Sequence, residues 1–281
     1  SIEFSGSGSQ QIGGTVPTVF ENLKINNPSG VTMSNHNTVA VGLTFAAGVL
    51  STGTSMLSIT APTDGMSGFG DGKYVFGNFR RYVTTGIYYN FPIGTDPSST
   101  NIFELAGAFI NSATDLNYID VSFSESAETV TGDLKVSGVT VNAFLEKGYW
   151  TFTPNDGVTD ISYNATVQSK GHQNKTGNGS NYSLITDINS GDGWQSLGNH
   201  SASTQQYSTT TVLAKRKRLT AFGKYVVAYS EATLITEELR VKGANFTVAE
   251  NDTATVFGNG VPLNNSDGGT IKVDGLLDLD G

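Results

Sequence analysis

The spacing of apolar residues between residues 20 and 59 most constrains what this chain can fold into. They occur in short groups with a period of two, separated by Gly, Asn and Ser: Leu23/Ile25, Val31/Met33, Val39/Val41/Leu43/Phe45 and Leu57/Ile59. This period is typical of β-strands, in which alternate side chains share one face. Strands this short bury a core only by stacking on further strands of the same kind, so we predict a β-solenoid, with a β-sandwich of hairpins as the alternative.

The C-terminal segment repeats this pattern. The segments "TEELRVKGANFTVAENDTATVFGNG" and "GGTIKVDGLLDLDG" contain apolar pairs such as Phe246/Val248 and Ile271/Val273. If Gly281 were joined to Ser1, the period of two would continue through Ile2 and Phe4. We therefore expect one unit of a tandem array, or a chain cut at both ends within a continuing solenoid.

From about residue 86 the segments become longer and more aromatic. Seven or so strands separated by turn-rich loops are typical of an antiparallel β-sandwich. We expect Tyr149, Trp150 and Phe152 near its core, with Trp194 and Tyr225 as further candidates. The predicted fold is all-β, with β-solenoid-like coils at both ends and an intervening Ig-like β-sandwich. The predicted domains are 1–85 (coils), 86–230 (sandwich) and 231–281 (coils continuing a larger protein).

Composition excludes several classes of function. The 281 residues carry a net charge of -9, which disfavours nucleic acid as a partner because phosphate binding needs a positive surface. The chain has no cysteine, so disulfides and thiolate metal sites are excluded. No apolar run approaches the ~18 residues of a membrane span, so we expect no membrane insertion.

Six segments follow one another along the chain: "GSGSQQIGG", "FENLKINNPSGVTMSN", "VAVGLTFAAGVLSTG", "GKYVFGNFRRYVTTGIYYNFPIGTD", "KGYWTFTP" and "VLAKRKRLTAFGKYVVAY". Their order resembles a pattern of large surface proteins of the Bacteroidetes and covers most of the chain. Met33, Phe45 and Phe79 stand where that pattern has Leu, and Arg80 and Arg81 occupy its basic positions. The resemblance implies a secreted cell-surface protein, exported by the type 9 secretion system, of the group that includes gliding and attachment adhesins. It transfers no catalytic residue.

Candidate metal sites rest on Asp residues. Asp274, Asp278 and Asp280 have even spacing and could share one strand face, which we interpret as a solvated outer face. Two Asp-Gly-rich segments hold the pairs Asp64/Asp71 and Asp156/Asp160, which first of all indicate turns. Calcium bound by such carboxylates is the alternative. We expect no metal, cofactor-binding or catalytic residue, and hence no cofactor.

Other candidate residues also favour a non-enzymatic interpretation. The three histidines, His36, His172 and His200, are too far apart in sequence to predict a zinc site. The loop 170–181 is polar and glycine-rich, so we expect it to be exposed and mobile. Lys215 to Arg218 are interpreted as a polar edge segment, with an acidic-polysaccharide patch as the alternative. Aromatic candidates for sugar stacking are Tyr88, Tyr89, Tyr149, Trp150 and Trp194.

We therefore expect a structural and adhesive unit of a long extracellular surface protein or filament, and not an enzyme. Its partners would be neighbouring repeats of the same protein, together with surface polysaccharide. The alternative is a carbohydrate-binding accessory module of a polysaccharide-degrading enzyme. A solenoid lyase or hydrolase is a third hypothesis, but it needs converging carboxylates and bases that the sequence does not show.

Overall fold

The computed structural model describes residues 1–172, 177–188 and 193–234, and the backbone of four strands between residues 245 and 278. The regular structure in this part of the chain is β-strand, apart from two single-turn 3-10 helices, Gly179–Asn181 and Ala202–Thr204. No helix among the described residues is long and apolar enough to cross a bilayer. The predicted all-β class is confirmed.

Eight strands in the first third of the chain form stacked parallel coils. They are β1 (Ile2–Ser5), β2 (Gln10–Ile12), β3 (Thr18–Asn26), β4 (Val31–Met33), β5 (Asn37–Ala47), β6 (Leu50–Ile59), β7 (Met66–Ser67) and β8 (Val75–Tyr82). Paired residues are 19 to 25 positions apart, as in Thr18 with Asn37 and Leu50 with Val75. This register is that of a β-solenoid, so the predicted coils are confirmed here.

The pairing register divides each coil into three faces. Face A stacks β1, residues 22–26 of β3, residues 42–47 of β5, and β7. Face B stacks β2, β4 and the first halves of β6 and β8. Face C stacks the first third of β3 and of β5 with the second halves of β6 and β8. Register shifts within the long strands mark the corners between faces.

Apolar residues of successive coils stack on one another in the interior of the solenoid. Leu23 pairs with Leu43 on face A, and Ile25 pairs with Phe45. All four are buried. Burying a side chain of this size contributes roughly 1.5–3 kcal/mol, so these ladders are a main source of stability. The period of two in the sequence is therefore the alternation between this interior and the solvent.

Thirteen further strands follow. They are β9 (Tyr88–Gly94), β10 (Phe103–Thr114), β11 (Tyr118–Ser124), β12 (Lys135–Val136), β13 (Val139–Thr140), β14 (Ala143–Phe144), β15 (Tyr149–Pro154), β16 (Thr159–Lys170), β17 (Tyr182–Asp187), β18 (Asn199–His200), β19 (Gln206–Tyr207), β20 (Thr211–Leu219) and β21 (Lys224–Tyr229). Apart from the β12–β13 hairpin, these strands join the same hydrogen-bonded sheet as the coils.

Two of the three faces continue into antiparallel strands. Face B passes from Val75 of β8 to Ile93 of β9, and then through β10 and β16 to β20. Face C passes from β8 to β11, and then through β15 and β21 to β17. We call these extended sheets the B sheet and the C sheet. Within the described strands, face A ends at β7.

The inner sides of the B and C sheets pack on each other through aromatic rings. Phe91 of the B sheet lies 5.9 Å from Phe152 of the C sheet, measured between ring centroids. The Trp150 indole donates its N–H to the Glu104 carbonyl oxygen across the interface at 3.1 Å. Trp150 and Phe152 are buried, as is Tyr225, so the predicted burial of these three residues is confirmed.

The turn between faces A and B leaves no room for a side chain at Gly48. Its φ is +84°, and a Cβ there would lie 1.7 Å from the Asn27 carbonyl oxygen of the preceding coil. Asn27 is itself buried and donates to the Gly8 carbonyl oxygen at 2.6 Å. Replacing Gly48 by alanine is expected to cost about 2 kcal/mol, through backbone strain and separation of the two coils. Urea unfolding followed by circular dichroism measures this.

Gly86 supplies the matched control for this substitution. Its φ is +78°, but nothing lies within 4 Å of where its Cβ would be. Gly86→Ala therefore isolates the strain of a positive φ and is expected to cost about 1 kcal/mol. Equal losses at Gly48 and Gly86 would show that close stacking of the coils contributes nothing.

Four strands after residue 244 also pair in parallel. They are β22 (Asn245–Val248), β23 (Thr253–Thr255), β24 (Thr270–Val273) and β25 (Leu276–Asp278). Asn245 pairs with Thr270, 25 positions later, and Thr253 pairs with Leu276, 23 positions later. These spacings match the coil lengths of the first eight strands.

The chain divides into two compact units, Ser1–Ile235 and Thr236–Gly281. The predicted domain boundaries at residues 85/86 and 230/231 remain predictions, as does the Ig-like sandwich between them. The structure adds that strands on both sides of residue 85 belong to one continuous sheet.

Candidate functional site

The strongest surface candidate lies on the outer side of the C sheet, where β8 pairs with β11. Strand alternation turns Phe79 and Arg81 of β8 inward and leaves Arg80 and Tyr82 outside. The antiparallel register places Tyr118 opposite Tyr82, and Asp120 opposite Arg80. Two tyrosines and an ion pair therefore share one solvent-facing patch.

This patch is held in place by its own contacts. Arg80 donates from Nε and Nη2 to the two carboxylate oxygens of Asp120, at 2.6 and 2.8 Å. Its Cζ lies 3.6 Å from the centroid of the Tyr118 ring, and the Tyr82 and Tyr118 centroids are 5.8 Å apart. The hydrogen bonds that Arg80 donates to Asp120 raise the pKa of Arg80, so the guanidinium keeps its charge. Tyr82 stays 41% exposed.

The patch continues along β15 as a row of hydroxyl groups. Ser122 of β11 pairs with Thr151 of β15, and Asp120 pairs with Thr153. The row ends at Tyr149, whose ring lies 5.1 Å from the Lys224 ammonium and 6.5 Å from the Trp194 ring. We call the set Arg80, Tyr82, Tyr118, Asp120, Ser122, Tyr149, Thr151 and Thr153 the outer strip.

Directly behind the strip, Arg81 is fully buried. It donates from Nη1 to Asp64 at 2.7 Å and to the Asn90 carbonyl oxygen at 2.8 Å, and from Nη2 to the Asp64 carbonyl oxygen. Asp64 accepts in turn from the Asn90 amide nitrogen at 3.0 Å. Burial lowers the pKa of Arg81, and the Asp64 charge opposes that effect. The group joins the loop after β6 to β8 and β9, so its role is structural.

A second buried arginine, Arg216 of β20 in the B sheet, contacts a Ser–His pair formed by Ser183 of β17 in the C sheet and His200 of β18. Arg216 donates to Ser183 Oγ at 3.0 Å, and Ser183 Oγ lies 3.0 Å from Nδ1 of His200. Burial, reinforced by the Arg216 charge, lowers the pKa of His200 to about 4. All three residues are buried, so the hydroxyl has no open approach for a substrate.

Glu104 is a third buried charged side chain. Its carboxylate oxygens accept from the Lys170 amide nitrogen at 3.0 and 3.2 Å. Burial raises its pKa well above the usual range, and the nearby Lys170 and Lys147 charges oppose that effect. Perturbed carboxyl groups are frequent at catalytic sites, but Glu104 lies in the interior between the two sheets.

The Asp residues singled out in the sequence lie apart. Asp64 binds Arg81, and Asp71 binds the Lys170 ammonium at 2.6 Å. Asp160 has a φ of +50° and lies near the Thr114 hydroxyl, at 3.5 Å. Asp274 and Asp280 lie outside the described residues, and the side chain of Asp278 is not described. Among the described residues, no three His, Asp or Glu side chains are grouped as metal ligands would be.

Two interpretations of polar segments were wrong. Lys215 to Arg218 are not an edge: β20 pairs with β16 on one side and with β18 and β19 on the other, and Arg216 points inward. The loop 170–181 is not exposed throughout, because His172 is buried beside the rings of Tyr182 and Tyr207. Burial lowers the pKa of His172.

The aromatic candidates for sugar stacking divide into two groups. Tyr89 and Trp150 are fully buried, so they are excluded as surface platforms, whereas Tyr88, Tyr149 and Trp194 keep part of their surface. Sequence reasoning missed Tyr82 and Tyr118. The signal that could have found them is their alternation with Val83 and Ile119, both of which are buried.

No protein-family model, curated protein or solved structure matched this chain.

Proposed function

We propose that this chain is a structural and adhesive unit of a long extracellular surface protein or filament, repeated in tandem. In this proposal the coils extend the axis, and residues 86–230 form a sandwich module that displays a binding surface. The resemblance to Bacteroidetes surface proteins exported by type 9 secretion supports secretion to the cell surface. The proposed partners are neighbouring repeats and surface polysaccharide.

One observation supports this proposal: the inward side of the face A ladder is exposed at β1. Ile2 pairs with Leu23, and Leu23 pairs with Leu43. Leu23 and Leu43 are buried, whereas Ile2 is 51% exposed. Within the described residues, β1 pairs only with β3, so no described strand pairs with its other edge. A neighbouring unit ending in parallel strands such as β24 and β25 would cover this edge.

The test compares one copy of the chain with two copies fused directly from Gly281 to Ser1. Stacking at the junction is expected to raise the melting temperature of the second copy by about 5 °C, equivalent to about 2 kcal/mol for a unit of this size. Differential scanning calorimetry measures both proteins at equal mass concentration. A fusion that melts at the same temperature as the single unit would contradict the proposal.

Ile2→Asp provides the control. In the single chain this side chain is already half exposed, so the substitution is expected to change stability by less than about 0.5 kcal/mol. Placed in the second copy of the fusion, it puts a charge into the junction and is expected to remove the gain. If the fusion carrying Ile2→Asp still melts at the higher temperature, the stabilisation comes from the linkage itself and not from stacking on β1.

The outer strip favours the second candidate function, a carbohydrate-binding accessory module. An accessory module binds polysaccharide without needing stacked neighbours. A fusion with no stabilisation, combined with glycan binding by the single chain, would support this alternative.

A further inference from the structure

We propose that the outer strip binds an extended, neutral polysaccharide chain. This inference rests on the proposed adhesive function and names its ligand class and its residues. Sugar recognition by proteins needs exposed aromatic faces for the C–H surface of the pyranose ring and fixed polar groups for its hydroxyls. The outer strip carries both on one sheet face.

Tyr82 is the aromatic platform at one end. The Arg80 guanidinium already covers one face of Tyr118, with Cζ at 3.6 Å from the ring centroid, whereas Tyr82 is 41% exposed. The face of an aromatic ring is electron-rich and attracts the weakly positive C–H groups of a sugar. Tyr118 supports Tyr82 from the side at 5.8 Å, so the platform does not have to be ordered upon binding.

The Arg80–Asp120 pair supplies both a donor and an acceptor to the ligand. Nε and Nη2 of Arg80 are used by Asp120, but within the described residues Nη1 makes no hydrogen bond. Each Asp120 oxygen accepts one hydrogen bond from Arg80 and retains capacity for another. Two neighbouring sugar hydroxyls can therefore accept from Arg80 and donate to Asp120 at the same time.

Charge selects a neutral ligand over an acidic one. At the Tyr82 end, the charge of Arg80 is balanced by Asp120 at 2.6 Å, so no surplus cation faces solvent there. The chain as a whole has a net charge of -9, which repels polyanions. An anionic polysaccharide would meet this repulsion without a compensating cluster of cations on the strip.

The length of the strip indicates several consecutive sugars. Asp120 pairs with Thr153, and Ser124 pairs with Tyr149. From the Tyr118 end to Tyr149 the strip follows about six residues of strand, roughly 20 Å. Hydroxyl groups of Ser122, Thr151 and Thr153 lie between the two aromatic ends. This layout fits a chain lying along the strand better than a single sugar in a pocket.

The test is affinity electrophoresis of the full chain in native gels that contain hydroxyethyl cellulose, galactomannan, mixed-linkage β-glucan or alginate. At least one of the three neutral polymers is expected to retard the wild type, and alginate is not. Binding should be unchanged between about 0.05 and about 0.5 M NaCl, because no net charge is neutralised. The double variant Tyr82→Ala/Tyr118→Ala should bind at least about tenfold more weakly.

Three variants keep this test specific. Tyr82→Leu retains an apolar side chain and removes the ring, so it should weaken binding even if the double variant folds poorly. Asp120→Asn preserves shape and should also weaken binding. Tyr88→Ala removes a tyrosine of the B sheet that is 38% exposed, and it should bind like the wild type. Circular dichroism confirms that each variant is folded.

The proposal is overturned by any of three results: no neutral polymer retards the wild type, alginate alone retards it, or Tyr82→Leu and the double variant bind normally. Failure here is separable from failure of the proposed function. Stabilisation of the two-copy fusion depends on β1 and Ile2 on face A, which contribute nothing to the outer strip.

Discussion

Replacement of Asp64 by alanine is expected to cost about 3 kcal/mol of stability and about 8 °C in melting temperature, because it leaves the buried Arg81 guanidinium without its carboxylate. Arg81 has no solvent exposure and donates to Asp64 at 2.7 Å. Asp64 retains 32% exposure, which places the expected cost at the lower end of the range for buried ion pairs. Urea unfolding at neutral pH measures the change.

The neighbouring ion pair provides the control for this prediction. Arg80 and Asp120 are 25% and 26% exposed, and their geometry is equally close at 2.6 Å. Asp120→Ala is expected to cost less than about 1 kcal/mol, because solvent screens the charge that remains. The double variant Asp64→Ala/Arg81→Met removes the stranded charge and should recover at least half of the loss. Equal costs for Asp64→Ala and Asp120→Ala would show that burial of Arg81 is unimportant.

Acid is expected to destabilise the protein through His200. Its pKa is about 4 in the folded chain, lowered by burial and by Arg216, against about 6.5 when the chain is unfolded. Between these values the unfolded chain binds more protons, so stability falls as the pH falls. The expected loss relative to pH 7 is about 2 kcal/mol at pH 5 and about 3 kcal/mol at pH 4.

His200→Gln separates this contribution from other titrating groups. His172 also has a lowered pKa and acts in the same direction, whereas the raised pKa of Glu104 acts in the opposite one. Both groups remain in the variant, so their effects cancel when the two proteins are compared at each pH. Urea unfolding at pH 7 and pH 5 should show a loss about 2 kcal/mol smaller in His200→Gln than in the wild type. Parallel pH profiles would contradict the assignment.

The coils could be predicted from sequence because their pattern is local. Inward positions such as Leu23, Ile25 and Val31 alternate with solvent-facing positions, and turn residues separate the groups. The continuation of faces B and C could not be predicted. It depends on pairs such as Arg80 with Asp120, forty positions apart, and periodicity does not identify the partner of a strand.

The outer strip was predictable only in part. Phe79, Arg81 and Val83 are alternate residues along β8 and directly after it, so all three side chains face the interior. This alternation alone predicts that Arg81 is buried and that its charge requires an acidic partner. Strand phase also places Tyr82 outside. No local signal indicates that Tyr118 lies opposite Tyr82, because that requires the register between β8 and β11. Burial of His172 was missed because its Gly- and Asn-rich surroundings are typical of exposed loops.

Strand β8 belongs to two sheets at once, and this has a consequence for the order in which the chain folds. Val75 pairs with β9 in the B sheet, and residues 79–82 pair with β11 in the C sheet. Both later sheets need β8 as a template, and β8 is itself aligned by β6. A chain synthesised from its N-terminus therefore completes this template before the strands that depend on it emerge. The coils set the starting register for the later strands of the B and C sheets.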